Sequence, residues 1–269
     1  MSKSTEKITL GSGHLYVIQF TGAVPAFEII EQEANRLGWI KGGAEVSYSG
    51  EWYEAKDDLG HISKTLLTGE EVSLKSGILT WCGKTLKYLC STARVTESNG
   101  HRKVKIGGVG NQDGRKYIIH FLHEDAESGD VRVTIVGKNQ AGFTMAFAAD
   151  DETVIDAEFK AEPCDKSGTL LMYDEQMEAN GLTIKPAAGT ATGTTKLTVT
   201  PAKASGNTYA YAVNADIPFA GNMPGDSFAV WDGTADITIA LTGDTITVLE
   251  LDTTGAVVKA GQCETVVKA

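Results

Sequence analysis

The feature that most constrains this chain is the two-residue rhythm of its apolar positions. Residues 196–200, 209–213, 235–241 and 245–251 alternate apolar with polar or small side chains. An extended backbone sends successive side chains to opposite faces, so such runs form strands with one buried face. Further strand-like runs lie at 15–20, 104–106, 117–122, 131–136, 143–147 and 155–161, and the turns between them are rich in Gly, Asn and Asp. The spacing predicts a mainly β fold built from hairpins.

Its 269 residues suit one large β domain or two smaller ones. Composition decides for two: every Arg and His precedes residue 180, and Thr, Ala, Gly, Val and Asp dominate afterwards. The Gly- and Pro-punctuated stretch 180–189 marks the boundary. We therefore expect domains at 1–178 and 182–269. The second, with added strands at 257–259 and 265–268, reads as a small β-sandwich that is immunoglobulin-like in architecture only, since it has no Cys-Trp-Cys framework.

In the first domain, apolar residues recur at Ile78, Cys82, Leu86 and Leu89 behind Ser76, a natural N-cap. This predicts one amphipathic helix over 76–90, packed on the sheet with Cys82 and Cys90 on or near its apolar side. Ahead of it, 45–74 forms a long hairpin arm around Asp57-Asp58-Leu59-Gly60. The arm carries Tyr48, Trp52, Tyr53, Leu66 and Leu67, more apolar surface than a lone arm should show to water. It either folds back on its own domain or reaches a neighbouring subunit, and these residues are the candidate inter-subunit contacts.

Charge and motifs exclude several functions. With 35 acidic against 24 basic residues the net charge is −11, and no basic run gathered on one face is evident. A tight sequence-reading nucleic-acid binder is not expected, although an acidic wall lets a polyanion slide past. The polar start at 1–7 reads as neither a secretion signal nor an anchor, and no apolar run reaches membrane-spanning length. The expectation is a soluble protein made in a cytoplasm. Cys82, Cys90, Cys164 and Cys263 are scattered and read as free thiols.

No catalytic constellation is evident. Residues 189–196 lack P-loop spacing, and 107–114 lacks dinucleotide spacing and joins two strands. His120 and His123 would point to opposite faces of a strand, which defeats chelation. Asp150-Asp151-Glu152 reads as a solvated turn, and there is no nucleophile elbow. We expect no enzyme, no metal and no cofactor.

The order of these elements over 1–175 resembles the tail-tube proteins of long-tailed phages: an early strand, the long arm, a sheet-covering helix, antiparallel hairpins, and a closing run at 153–171. The resemblance implies a tail-tube-type β-sandwich or barrel whose subunits form hexameric rings stacked into a tube. The arm would bridge to the next ring, which would use up unpaired strand edges. It also implies a place in the virion tail, assembled in a bacterial cytoplasm, with tape-measure, tail terminator and baseplate partners. Genomic DNA would pass an acidic lumen without specific binding. The second domain would sit outside the tube, either attaching weakly to cell surfaces or glycans or only decorating it. A two-domain β surface-adhesion or carbohydrate-binding protein is the alternative reading.

Overall fold

A computed structural model describes residues 11–150, 152–238 and 242–269. Between Glu175 and Gln176 the chain divides into two compact units. In the first, the elements run β1 (His14–Gln19), α1 (Phe27–Ile30), β2 (Arg36–Gly38), β3 (Ile40–Lys56), β4 (Ser63–Ile78) and α2 (Gly83–Leu89). They continue with β5 (Arg94–Ser98), β6 (His101–Lys105), β7 (Tyr117–His123), β8 (Val131–Asn139), β9 (Ile155–Ala161) and β10 (Leu171–Glu175). One antiparallel sheet takes the order β2-β1-β7-β8-β9-β4-β3, with β10 also paired to β8, and β5 and β6 form a separate hairpin.

Side-chain parity builds two layers of core on this sheet. Leu15, Leu74, Ile78, Ile119, Ile135 and Phe159 form one face, which Leu86 and Leu89 of α2 join. Tyr16, Ile118, Leu122 and Val136 form the other, under Ile30 of α1. The free edge of β8 is shared: Val131 to Ile135 pair with β10, while Gly137 to Asn139 pair with β9.

The expected helix over 76–90 is corrected to the seven residues of α2. Ser76 is not a cap; it sits inside β4, paired with both Ala44 and Ala157. Val72, Leu74 and Ile78 also obey a two-residue period, and hydrogen bonding from strands on both sides extends β4 through them. Cys82 is exposed at the N-cap of α2 and Cys90 half-buried at its C-cap, so neither is a core thiol. All four cysteines are free. Residues 143–147 form no strand, although Phe143 and Met145 still pack on the core.

The second unit holds a three-stranded sheet, β11 (Thr183–Ala188), β12 (Thr194–Thr200) and β15 (Ile237–Thr238), and a four-stranded sheet. The latter orders β14 (Ala229–Trp231), β13 (Thr208–Val213), β16 (Thr245–Leu251) and β17 (Val257–Glu264). Leu182, Ile184, Leu197, Trp231, Ile237, Ile246 and Val248 pack as its main core. Both units are mainly β, and the paired sheets of the second are those of a small β-sandwich. β11 occupies most of the stretch read as a boundary; as an edge strand it tolerates Pro186. The strand expected at 257–259 extends to Glu264 as β17, and the one expected at 265–268 does not form. Of the strand expected at 235–241, residues 239–241 lie outside the described residues, as do Asp151 and residues 1–10.

Candidate assembly surface

The arm is the largest irregularity of the first unit. β3 spans 17 residues and, among the described residues, pairs only with β4, so its outer edge has no strand partner there. β4 pairs with β9 only from Ser73 to Ile78, leaving its first part, Ser63 to Val72, free on that side. Two strands thus project beyond the sheet with open N–H and C=O groups on both flanks. Such edges are templates for pairing with another chain.

The register sorts the candidate side chains by face. Tyr48 lies opposite Val72 and Trp52 opposite Leu67, whereas Tyr53 lies opposite Leu66. Thr68 is skipped between the Glu51–Gly69 and Trp52–Leu67 pairs, a bulge that keeps Leu67 on the face of Trp52. Tyr48, Trp52 and Leu67 therefore share the face that runs inward to the buried Val72 and Leu74. They gather over Gly50, where an added Cβ would meet Leu67 Cδ1 at 2.9 Å and Trp52 Nε1 at 3.2 Å. Tyr53 and Leu66 sit on the opposite face near the tip, where Leu59 and Ile62 are also exposed. The five residues form two patches rather than one.

Exposure is high for residues of this type: Trp52 is 64% exposed and Tyr48 59%. Contiguous apolar surface of this kind marks an interaction site. The Tyr48 hydroxyl donates to Glu70 Oε1 at 2.9 Å, and this bond to a carboxylate raises the Tyr48 pKa above the ordinary phenol value. The aromatic patch thus ends in a rigid, neutral hydroxyl beside a negative charge.

The histidines serve structure. His120 is fully buried and binds Thr134 Oγ1 at 2.7 Å through Nδ1 and Glu31 Oε1 at 3.0 Å through Nε2. Arg132 donates from Nε to the same Glu31 oxygen at 2.7 Å. Burial lowers the His120 pKa, and the bond to Glu31 opposes it. His123 donates from Nδ1 to Ser12 O at 2.7 Å. Among the described residues no group of three or more His, Cys, Asp or Glu is placed to hold a metal.

A shallow groove in the second unit is lined by Lys203, Tyr211, Val230, Trp231, Asp232 and Asp236. Several of its polar atoms hydrogen-bond within the protein. Trp231 Nε1 donates to Ala235 O, Asp232 accepts from the Thr234 and Ala235 N–H groups, and Asp236 accepts from Thr190.

One surface was missed at the level of sequence. Arg94, Lys103 and Lys105 share the outward face of the β5–β6 hairpin, all exposed. The expectation of no gathered basic run is corrected: the signal is His101-Arg102-Lys103-Val104-Lys105, whose alternation on a strand collects charge on one side.

The chain thus has two β units, the first of which carries an arm with exposed apolar side chains. The second unit contains the stretch that is similar to a known family. Residues 187–265 match the family model of the S-layer protein SbsC C-terminal domain. Among solved structures, that of the S-layer protein SbsC, domains 7, 8 and 9, aligns at 15% identity over 72% of this chain and 68% of that one, with a TM-score of 0.32. No curated protein matches the chain.

The family match overturns the resemblance to tail-tube proteins: what this sequence matches is a module of an S-layer protein. The hexameric rings and tube, the tape-measure, terminator and baseplate partners, the DNA-conducting lumen and the place in a virion tail go with it. The sheet-covering helix expected over 76–90 is present only as Gly83–Leu89, since the chain is strand up to Ile78.

Proposed function

We propose that this chain is a structural β protein of a cell surface, not an enzyme, that associates with further copies of itself through the β3–β4 arm. The observation that carries the surface reading is the family match of residues 187–265 to the C-terminal domain of an S-layer protein. It supports the alternative reading of a β surface protein over a tail tube. S-layers are self-assembled lattices, and the open-edged arm with Tyr48, Trp52, Tyr53, Leu66 and Leu67 supplies a surface on which self-association can be built. We treat the two units as two domains, the arm-bearing one associating and the sandwich from Gln176 onward displayed.

The test is to mix the purified protein with washed envelope fragments of its source cell, pellet them, and view the pellet by negative-stain electron microscopy. The expected result is co-sedimentation with regular two-dimensional arrays. Protein that stays in the supernatant as isolated particles, with or without envelopes, would overturn the reading.

A further inference from the structure

We infer that the arm of one copy docks on the outward face of the β5–β6 hairpin of a second copy. This inference rests on the self-association proposed above and names the partner surface.

The charges of the first unit are segregated along the chain. Between residues 83 and 116 there are eight Lys and Arg against two carboxylates, in a chain whose net charge is −11. Between 45 and 71, the arm carries seven carboxylates against two Lys. The structure concentrates the first group. In the β5–β6 register, Val95 faces Val104 and Glu97 faces Arg102, and this half-buried side packs toward α2, where Val104 and Arg102 crowd Gly83. The other side presents Arg94, Lys103 and Lys105 with no acid among them.

These cations lack a counter-charge within their own copy. Among the described residues, Arg94 donates only to the Gly107 carbonyl, and neither Lys103 nor Lys105 has a carboxylate partner. On the arm, Glu51 and Asp58 likewise have no cationic partner among the described residues, and Glu70 meets only the Tyr48 hydroxyl. Both surfaces also carry apolar groups. Ile106 and Val109 are exposed just after β6, and Tyr48 and Trp52 are exposed on the arm. On the face of Tyr48 and Trp52 the register places Glu70 and Glu54, while Glu51 lies on the reverse face. An aromatic patch with these two carboxylates meets the requirements of a basic patch rimmed by aliphatics, through ion pairs and cation–π contact.

Geometry favours a second copy as the occupant. Arm and hairpin are different surfaces, so two copies can satisfy both at once in a reciprocal pair, and a head-to-tail contact between the same two surfaces propagates along further copies. A lattice-forming protein needs that property. A dissolved polyanion would satisfy the cations but would leave the arm's carboxylates and aromatics unpaired.

The test is sedimentation velocity across a concentration series on four full-chain variants. They are Lys103→Glu/Lys105→Glu, Glu54→Lys/Glu70→Lys, all four substitutions together, and a chain in which residues 51–69 are replaced by Asn-Gly. Each charge reversal alone is expected to raise the concentration needed for association at least tenfold, with an unchanged melting temperature because the sites are exposed. The fourfold variant is expected to recover association to within about threefold of the wild type, and association to weaken with salt as screening shortens to a Debye length of about 3 Å at 1 M. If arm shortening abolishes association but Lys103→Glu/Lys105→Glu does not, the docking site is overturned while self-association through the arm stands. If the shortened chain associates like the wild type, both fall. If Lys103→Glu/Lys105→Glu loses binding to polyphosphate and the fourfold variant does not recover association, the face serves a polyanion and the inference is overturned.

Discussion

Gly137 stands where β8 exchanges one neighbour for another, and an added Cβ there would lie 1.9 Å from the Lys160 carbonyl. The obstacle is backbone, which cannot swing aside as a side chain can, so Gly137→Ala is expected to destabilise the first unit by about 3 kcal/mol or more in urea unfolding. Glu250 is a second such point. Its buried carboxylate accepts from Lys259 Nζ, the Ala204 N–H and Asn207 Nδ2, so Glu250→Ala strands partners on two segments and should cost about 2–4 kcal/mol in the second unit. His120 sets a pH dependence. Burial holds its folded pKa below the unfolded value, so the unfolded chain binds the proton first. Stability is then full above about pH 6.5 and falls as pH drops through that value toward the folded pKa. The urea midpoint should fall between pH 7.5 and 5, and His120→Gln should shrink that fall; an equal fall in the variant would show that other groups cause it. Sequence parity set His120 and His123 on opposite faces, but the partners Glu31 and Thr134 come from distant segments that no local spacing announces.

At the scale of elements, many strand positions were legible from apolar runs: β7, β9, β12, β13 and β16 fall within about two residues of their expected places, while β11 was read as a boundary. Legibility failed where two periods coincide. Apolar residues at 78, 82, 86 and 89 fit a helix, while those at 72, 74 and 78 fit a strand, and pairing partners remote in sequence settled the contest at Ile78. The helix that remains is short, and Leu89, 1% exposed, anchors it on the sheet. Leu89→Ala should cost about 2–5 kcal/mol. The arm makes the opposite prediction. Its part beyond Ser73 is paired to nothing but itself, so replacing residues 51–69 by Asn-Gly should leave the thermal unfolding midpoint of the first unit unchanged. A large drop would mean that the arm folds back on its own domain.

For the whole molecule, the composition shift near residue 180 lies close to the division between Glu175 and Gln176, because two cores of different composition were laid down in series. The hydrophobic clusters of the second unit are drawn from residues 179–267 alone. A chain of residues 176–269 should therefore unfold in a single cooperative transition. The basic face was not legible, because net charge averages over surfaces and only the strand register shows that Arg94, Lys103 and Lys105 share a side. The similarity of residues 187–265 to an S-layer module was equally hidden: alternating strands specify a sandwich without specifying whose.

The central claim, a protein that assembles through its arm, is tested most directly by sedimentation velocity on the full chain and on the chain with residues 51–69 replaced by Asn-Gly, over the same concentrations. The account predicts concentration-dependent assembly of the full chain and a monomer for the shortened one. A full chain that stays at its monomer mass of 28.5 kDa at every concentration would contradict it.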